Sequence, residues 1–533
     1  MKIKKINPLL LTGFIFALVM LVACGETVEV GHNDDVVQST DALNDGAEST
    51  FVMAISGNPM STNPIVVSDR FGLTTVNMIY SPLARIDHNN EFKFELAESM
   101  EVSDDGLIIT VRLREGVKWS DGQPFTADDV VFTYNIRAQK ENGNYAGMWI
   151  NDQVIEVSAL DELTVEFRLP EVSAAVLSNL LFEVRIMPQH IFENEPDFSV
   201  ADLLAHPVGT GPYRLVTYNR DQYLLFEANE YYFGGTPNIQ NITLRIIENA
   251  DTQRIALQAG QVDAAVILPA DIDTLDSSVI TAFAYSENRV GYIGMNLLTD
   301  ELSDIRVRQA IRYALNTHDM NLAAYMSEDF FNTPLSILPP NNPWATTQVN
   351  TFETNLDRSR DLLSEAGTSN LTINIGFTAT DPAQEIQAIL AQEQLAQVGI
   401  TLILEAQDGP TLSAEIRNEG STRFNLFTGG YIMGNDPDSY SVLFHSNGRS
   451  NFFNYNSPVV DSIFDRAAVE MDETVRRDLY HQLQQQIAED AFFIPVVDNL
   501  RILAVNNRIG GVEAAGLIPI FTFEDMSLLY IQD

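Results

Sequence analysis

The chain predicts an α/β fold, and three observations carry that reading. Residues 371–404 read as strand, helix and strand joined by short links, the pattern of a parallel βαβ unit. Several earlier segments alternate apolar and polar residues, as half-buried strands do. The last third repeats apolar residues at helical spacing. The length of 533 residues, at roughly 100–200 residues per domain, allows two to four domains, each able to bury its own core.

In chain order, the first segment is an address. Lys2, Lys4 and Lys5 precede the uncharged run Leu9–Met20, which is too short for a comfortable membrane span but fits the core of a signal peptide. Leu21-Val22-Ala23-Cys24 then resembles a bacterial lipobox, and Cys24 is the only cysteine of the chain. The resemblance implies removal of residues 1–23 and an acylated Cys24. Several acyl chains on one residue hold a protein to a membrane, which a single chain does only marginally. Residues 24–50 carry seven acidic residues and no Lys or Arg, the composition of an extended, solvated tether.

Folded sequence is expected from Phe51. Leu107 to Leu113 alternates as a strand. Thr126 followed by Asp129 starts a helix through Val130 and Tyr134 with a capping-box pattern. Leu163 to Leu169 alternates again. Val307, Ala310, Ile311 and Ala314 form one face of a helix. Leu371–Phe377 is a strand, Ala383–Val398 a helix with Ile386, Ile389 and Leu390 on one face and Gly399 as its stop, and Ile400–Leu404 a second strand. A helix near Leu412–Arg417 and a strand Phe424–Phe427 lead to Gly429–Asp438, a loop rich in Gly, Asn and Asp. Ligands of open α/β sheets bind outside the carboxyl ends of strands, which makes this loop the candidate site on physical grounds; a plain turn is the competing reading. Val475, Leu479, Leu483 and Ile487, and likewise Ile463, Phe464, Ala467, Ala468 and Met471, form stripes expected to be core faces.

Composition excludes several functions. Lys+Arg number 31 against 73 Asp+Glu, a formal net charge of −42, which repels nucleic-acid phosphates and anionic lipid headgroups. One cysteine permits no internal disulfide and no cysteine-based zinc site. Seven histidines are scattered, with no i,i+4 pair of the metalloprotease kind. No Gly-x-Ser-x-Gly elbow and no phosphate loop occur, and Gly209-Thr210-Gly211-Pro212-Tyr213-Arg214 fails the dinucleotide fingerprint at its third glycine. Nothing points to a cofactor, a metal or catalysis; neighbouring acidic residues such as Asp128 and Asp129 are read as solvated surface.

Longer motifs point further. Residues 97–130, with the core Arg114-Glu115-Gly116-Val117-Lys118-Trp119-Ser120-Asp121-Gly122-Gln123-Pro124-Phe125, resemble the signature region of family 5 solute-binding proteins, the peptide/nickel-type receptors of ABC importers. Gly209-Thr210-Gly211-Pro212-Tyr213, Tyr231–Pro237, Arg306–Ala314 and Leu362–Gly367 resemble further elements of that family in its own order, and the wording is closest to Gram-positive oligopeptide-binding lipoproteins. The resemblance runs from Phe51 to the C-terminus. It implies a two-lobed, periplasmic-binding-protein-like (class II) α/β fold: a first lobe over 51–288 with an extra subdomain inserted at about 83–185, a second lobe over 289–493, and a return to the first lobe over 494–533. The crossing strands would be Val290–Asn296 and Ile494–Leu500. It implies a monomeric, non-enzymatic receptor that closes on an oligopeptide by hinge motion and delivers it to a permease and ATPase complex. A nickel chelate, haem or an oligosaccharide in the same fold is the alternative ligand, and a secreted acidic hydrolase the alternative class.

The resemblance also suggests contacts. Gly429–Asp438 falls where the family carries a ligand-reading loop. Enteric relatives place an aspartate there against the peptide α-amine; anchoring on Pro437 puts Met433 at that place, so either the charge partner is missing or Asp436 serves after a shift of register. Gly429, Gly430 and Asn435 would offer backbone or amide groups to an extended peptide. Tyr431 and Tyr292 would pack on it or hydrogen-bond, Asn296 would pair with its carbonyls, Asp436 would hold a cationic end, and Trp149 would wall the pocket.

Overall fold

One 14-residue strand, Phe493–Asn506, organises the molecule. In the computed structural model, which describes residues 49–532 apart from 90, 143–145, 183, 196, 199–206 and 369, its first half pairs antiparallel with Arg289–Met295 and its second half with Ile280–Ser286 and Ala264–Ile267. The signal peptide, Cys24 and the tether up to residue 48 lie outside the described residues. Because one strand serves both halves, a single twelve-stranded sheet runs through the fold. Tyr213–Asn219, Tyr223–Ala228, Asn241–Ile246 and Thr50–Ile55 extend it on one side; Leu426–Ile432, Thr372–Thr378 and Thr401–Gln407 extend it on the other.

Apolar side chains sort into distinct cores around this sheet. One gathers residues between Val290 and Val497. A second joins Phe51–Tyr80 and Tyr213–Tyr285 to the chain end at Leu503–Leu529. A third, Leu83–Ile186, packs around its own four-stranded sheet of Ala97–Val102, Ile108–Leu113, Thr164–Arg168 and Glu156–Asp161. This is a two-lobed α/β fold with an additional body inserted in its first lobe.

Local chemistry explains the elements. Thr372–Thr378 and Thr401–Gln407 pair in parallel across the helix Pro382–Ala396, as a βαβ unit requires. Asp381 caps that helix by accepting from the N–H groups of Ala383 and Gln384 at 3.1 and 3.2 Å. Its buried face, however, is Gln387, Ala388, Ala391 and Leu395, while Ile389 is 41% exposed. Alanines allow close approach, and the buried Gln387 amide is satisfied by Asn321 Oδ1 at 2.9 Å, so the polar residue sits inside and the isoleucine outside. Val475 and Met471 are likewise exposed although their stripes are otherwise buried or, at Ala468, half-buried; one stands in the first turn of its helix and the other beyond the end of its own. Asp129 accepts from the Thr126 N–H at 2.9 Å and starts the helix Ala127–Arg137 as its sequence predicts, but it is buried rather than solvated, because Trp119 Nε1 and the Gln189 N–H also donate to it.

Gly209-Thr210-Gly211 is packing rather than ligand chemistry. A Cβ on Gly209 would lie 1.9 Å from the Ile79 carbonyl oxygen, and the Gly211 N–H donates to that same carbonyl at 2.8 Å. Only glycine lets this turn seal the end of the helix Arg70–Ile79.

Candidate functional site

A cavity of about 990 Å³ opens where the cores meet. The lobe of the chain ends supplies Val76, Asn77 and Leu517–Phe521; the inserted body supplies Phe182 and Arg185; the end of the strand Ile280–Ser286 and the turn after it supply Tyr285, Ser286 and Asn288; the other lobe supplies Trp344 and Ile432–Asp436. Every lobe and the crossing itself therefore face one space.

The loop that leaves the sheet at Ile432 reaches this space, but it starts later than its glycines suggest. Gly429, Gly430 and Tyr431 belong to the strand Leu426–Ile432, in register with Tyr292, Gly291 and Val290. The glycine pair exists because two side chains cross it: a Cβ on Gly429 would stand 2.4 Å from the Tyr292 ring and hydroxyl, and one on Gly430 2.1 Å from Arg289 Nη2. Tyr292 and Tyr431 are buried in a ring cluster with Phe453 and Phe493, centroids 5.0–6.2 Å apart. Tyr431 donates to the Ile337 carbonyl at 2.6 Å. Burial, then Tyr440 and Tyr292, pushes its phenol well above the ordinary range, so it stays neutral. None of these four residues lines the cavity.

Asn435 and Asp436 do line it. The Asn435 carbonyl accepts from Asn342 Nδ2 at 3.0 Å. Asp436 is gripped at both oxygens by Arg476, each bond 2.8 Å, and its Oδ1 also accepts the Asp438 N–H at 3.0 Å. Arg476 further donates to the Ala467 carbonyl at 2.9 Å and stacks on Trp344, 5.1 Å from its centroid. This arginine thus ties the loop, the helix Glu473–Asp490 and the cavity's tryptophan together. Asp438, behind the loop, has its carboxyl pushed up to about 6 by burial and by the neighbouring Asp436.

Two expected residues stand elsewhere. Asn296 lines a separate polar hollow of about 600 Å³ within one lobe. Its amide donates to the Ser421 and Phe424 carbonyls, and its oxygen accepts from Leu298 N–H and Asn454. Trp149 sits in a short hairpin of the inserted body; its indole N–H donates to the Ala138 carbonyl at 2.9 Å and Lys140 lies 4.2 Å over its ring. Neither reaches the main cavity. Trp344 and the arginines Arg85, Arg137 and Arg185 do line it; no spacing in the sequence singles out the arginines, whereas Trp344 closes a Pro- and Asn-rich stretch, 339–344, that signals an exposed loop.

The crossing is built around Asp498, 0% exposed, which accepts from Ser286 Oγ at 2.8 Å and from Asn332 Nδ2 at 3.0 Å. Burial raises its carboxyl above the ordinary value. Among the described residues, no group of three or more His, Cys, Asp or Glu is placed to hold a metal ion, and no helix is long and apolar enough to cross a membrane.

A cavity walled by two lobes and by the strands that join them defines a solute-binding protein of the two-lobed kind. Residues 91–452 match the model of the bacterial extracellular solute-binding proteins, family 5 (middle), and the chain belongs to this family, which serves ABC importers. It is 27% identical to the oligopeptide-binding protein AppA of Bacillus subtilis, covering 92% of this chain and 93% of that one. It is 28% identical to the glutathione-binding protein GsiB of Pectobacterium atrosepticum over 90% and 94% of the two chains. The crystal structure of the ABC transporter substrate-binding protein CtaP from Listeria monocytogenes superposes with a TM-score of 0.87 at 32% identity, covering 91% of this chain and 99% of that one.

Proposed function

We propose that this protein is the lipid-anchored receptor of an ABC importer, capturing oligopeptides between its lobes and delivering them to a permease and ATPase complex without performing chemistry. The carrying observation is the cavity of about 990 Å³ walled by both lobes and by the crossing, near the top of the range of about 300–1,000 Å³ typical of small-molecule sites. Two relatives with peptide ligands in their names, the oligopeptide- and glutathione-binding proteins, support the ligand class. Peptide main chain offers the same N–H and C=O groups whatever its sequence. The Asn288 amide in the wall can pair with those groups, while Trp344, Phe182 and Phe521 supply apolar surface for side chains.

On this reading the lobes span about 51–288 with 494–533, and 289–493. They close about the Ser286–Asn288 turn and the middle of the strand Phe493–Asn506, and Cys24 holds the body to the membrane. Asn435 and Asp436 belong to the ligand wall, Asp436 as a brace; Gly429, Gly430, Tyr431 and Tyr292 support that wall from behind. The test is native mass spectrometry of the purified protein followed by denaturing release. A ladder of small peptides is the expected result. A single non-peptide mass, such as a sugar or metal chelate, keeps the fold and overturns the ligand.

A further inference from the structure

An ammonium ion brought into a cleft must exchange water for a carboxylate that has charge to offer, because a charge buried without a partner is expensive. The carboxylates lining this cavity, among the described residues, are Asp87, Asp436 and Glu524. Each already has partners within the protein, Glu524 at hydrogen-bond distance through one oxygen only. Asp436, the one acidic group that the lobe of Trp344 contributes to the wall, is bound at both oxygens by Arg476 and also by the Asp438 N–H. Asp87 accepts the N–H groups of Asn89 and Glu91, both at 2.8 Å, and pairs with Lys93 at 2.7 Å. Glu524 accepts the His88 N–H at 3.0 Å and His88 Nδ1 at 2.7 Å, with Arg85 and Lys93 each 3.9 Å from its other oxygen. Arg85, Arg137 and Arg185 stand in the same wall. In a chain of net charge −42, the cleft is a place where negative charge has been matched.

Resting on the peptide reading, we infer that the cleft does not read a charged amino terminus: its ligands are peptides recognised through their main chain and side chains, and N-acylated peptides or internal segments bind on the same footing as peptides with a free α-amine. The Asp436–Arg476 pair sets this specificity by withholding the carboxylate nearest the ligand loop. Asp436 braces the loop and makes no ion pair with the ligand.

The experiment is a competition read by native mass spectrometry. Randomised hexapeptides of neutral composition are prepared with free and with acetylated amino termini, mixed in equal amounts, and offered to the full chain and to its Asp436→Asn variant. Retention of the two forms within about twofold of each other, with the same ratio in the variant, is the expected result. A charge-assisted contact to the α-amine is worth about tenfold or more in affinity. A tenfold preference for the free amine in the wild-type chain therefore overturns the inference and leaves the peptide reading standing; loss of that preference in Asp436→Asn would assign the contact to Asp436. Retention of neither form overturns the peptide reading itself.

Discussion

Replacing Arg476 with Met tests whether the loop at residues 433–438 is held by one buried ion pair. The side chains of Arg476 and Asp436 are 6% and 12% exposed, and the pair is bidentate at 2.8 Å. Removing one partner of such a pair leaves the other charge buried and uncompensated, which costs about 3–5 kcal/mol. The same substitution also leaves the Ala467 carbonyl without its donor. For a lobe of roughly 200 residues, 1 kcal/mol moves Tm by about 2–4 °C, so Arg476→Met lowers the lobe's transition by about 10 °C when thermal unfolding is followed by circular dichroism. Asp436→Asn, which strands the arginine instead, is also destabilising. The double variant removes both charges and costs less than the sum of the two, with a coupling of about 2 kcal/mol or more. A loss below about 1 kcal/mol for Arg476→Met, the range of exposed pairs, or strict additivity in the double variant, refutes the brace.

Gly429→Ala drives a methyl group to 2.4 Å from the Tyr292 ring and is expected to cost about 1–3 kcal/mol, read as a lower Tm; an unchanged Tm refutes the packing argument. The Asp438 carboxyl sits at about 6 in the folded protein against an ordinary 3.8. The folded state therefore keeps this proton to higher pH than the unfolded chain, and the stability this group contributes is full below about 3.8 and is lost as pH rises through about 6. Asp438→Asn should match the wild type near pH 4 and exceed it by about 2 kcal/mol at pH 7–8, measured by urea denaturation at both pH values; a variant no more stable at pH 7 refutes this. Asp498→Ala strands Ser286 and Asn332 at the crossing and should cost about 3 kcal/mol and shift the midpoint of peptide binding; unchanged stability shows that the crossing does not rest on this carboxylate. Cys24→Ala should move the protein from the membrane fraction to the soluble fraction of fractionated cells, and retention on membranes refutes the lipid anchor.

Much of the fold was legible because it rests on local pattern. The alternation at 107–113, the periodic residues at 307–314 and the strand–helix–strand run at 371–404 each reappear within one to three residues of their expected ends. The expectation failed where tertiary contacts override pattern. Ile389 looked like a core residue, but the helix turns Gln387 inward because Asn321 is there to satisfy it. Gly429 and Gly430 read as loop, since glycine is scarce in strands, yet they lie in one because Tyr292 and Arg289 occupy the space their side chains would need. The candidate loop was located through its Asn435-Asp436-Pro437 end. Arg476 was not, since its partner lies 40 positions away and it reads locally as one more arginine on an amphipathic helix.

The proposed closure has to be reconciled with a sheet that runs unbroken from one lobe into the other. A continuous ladder resists bending, so motion concentrates where the ladder is weakest. The pairing of Arg289–Met295 with Phe493–Val497 slips in register between Gly291 and Tyr292. Opposite the slip stands Pro495, which has no N–H to donate. A few residues away, Asn288 carries a left-handed φ of +52° between the two paired strands, a conformation Asn tolerates better than most side chains. Asp498 spans this same point, tying Ser286 at the end of one strand to Asn332 beyond the other. For the proposed closure, a slip, a proline and a left-handed turn would let the backbone bend at the crossing, while side-chain hydrogen bonds to one buried carboxylate hold the pieces in place. In the proposed closure, bending there would leave the cores of both lobes intact and would move Ile432–Asp436 and Trp344 as one unit across the cavity, because Arg476 binds the loop and lies against the tryptophan. On the proposed reading, the brace that would withhold Asp436 from the ligand would thus also keep that wall rigid as it closes.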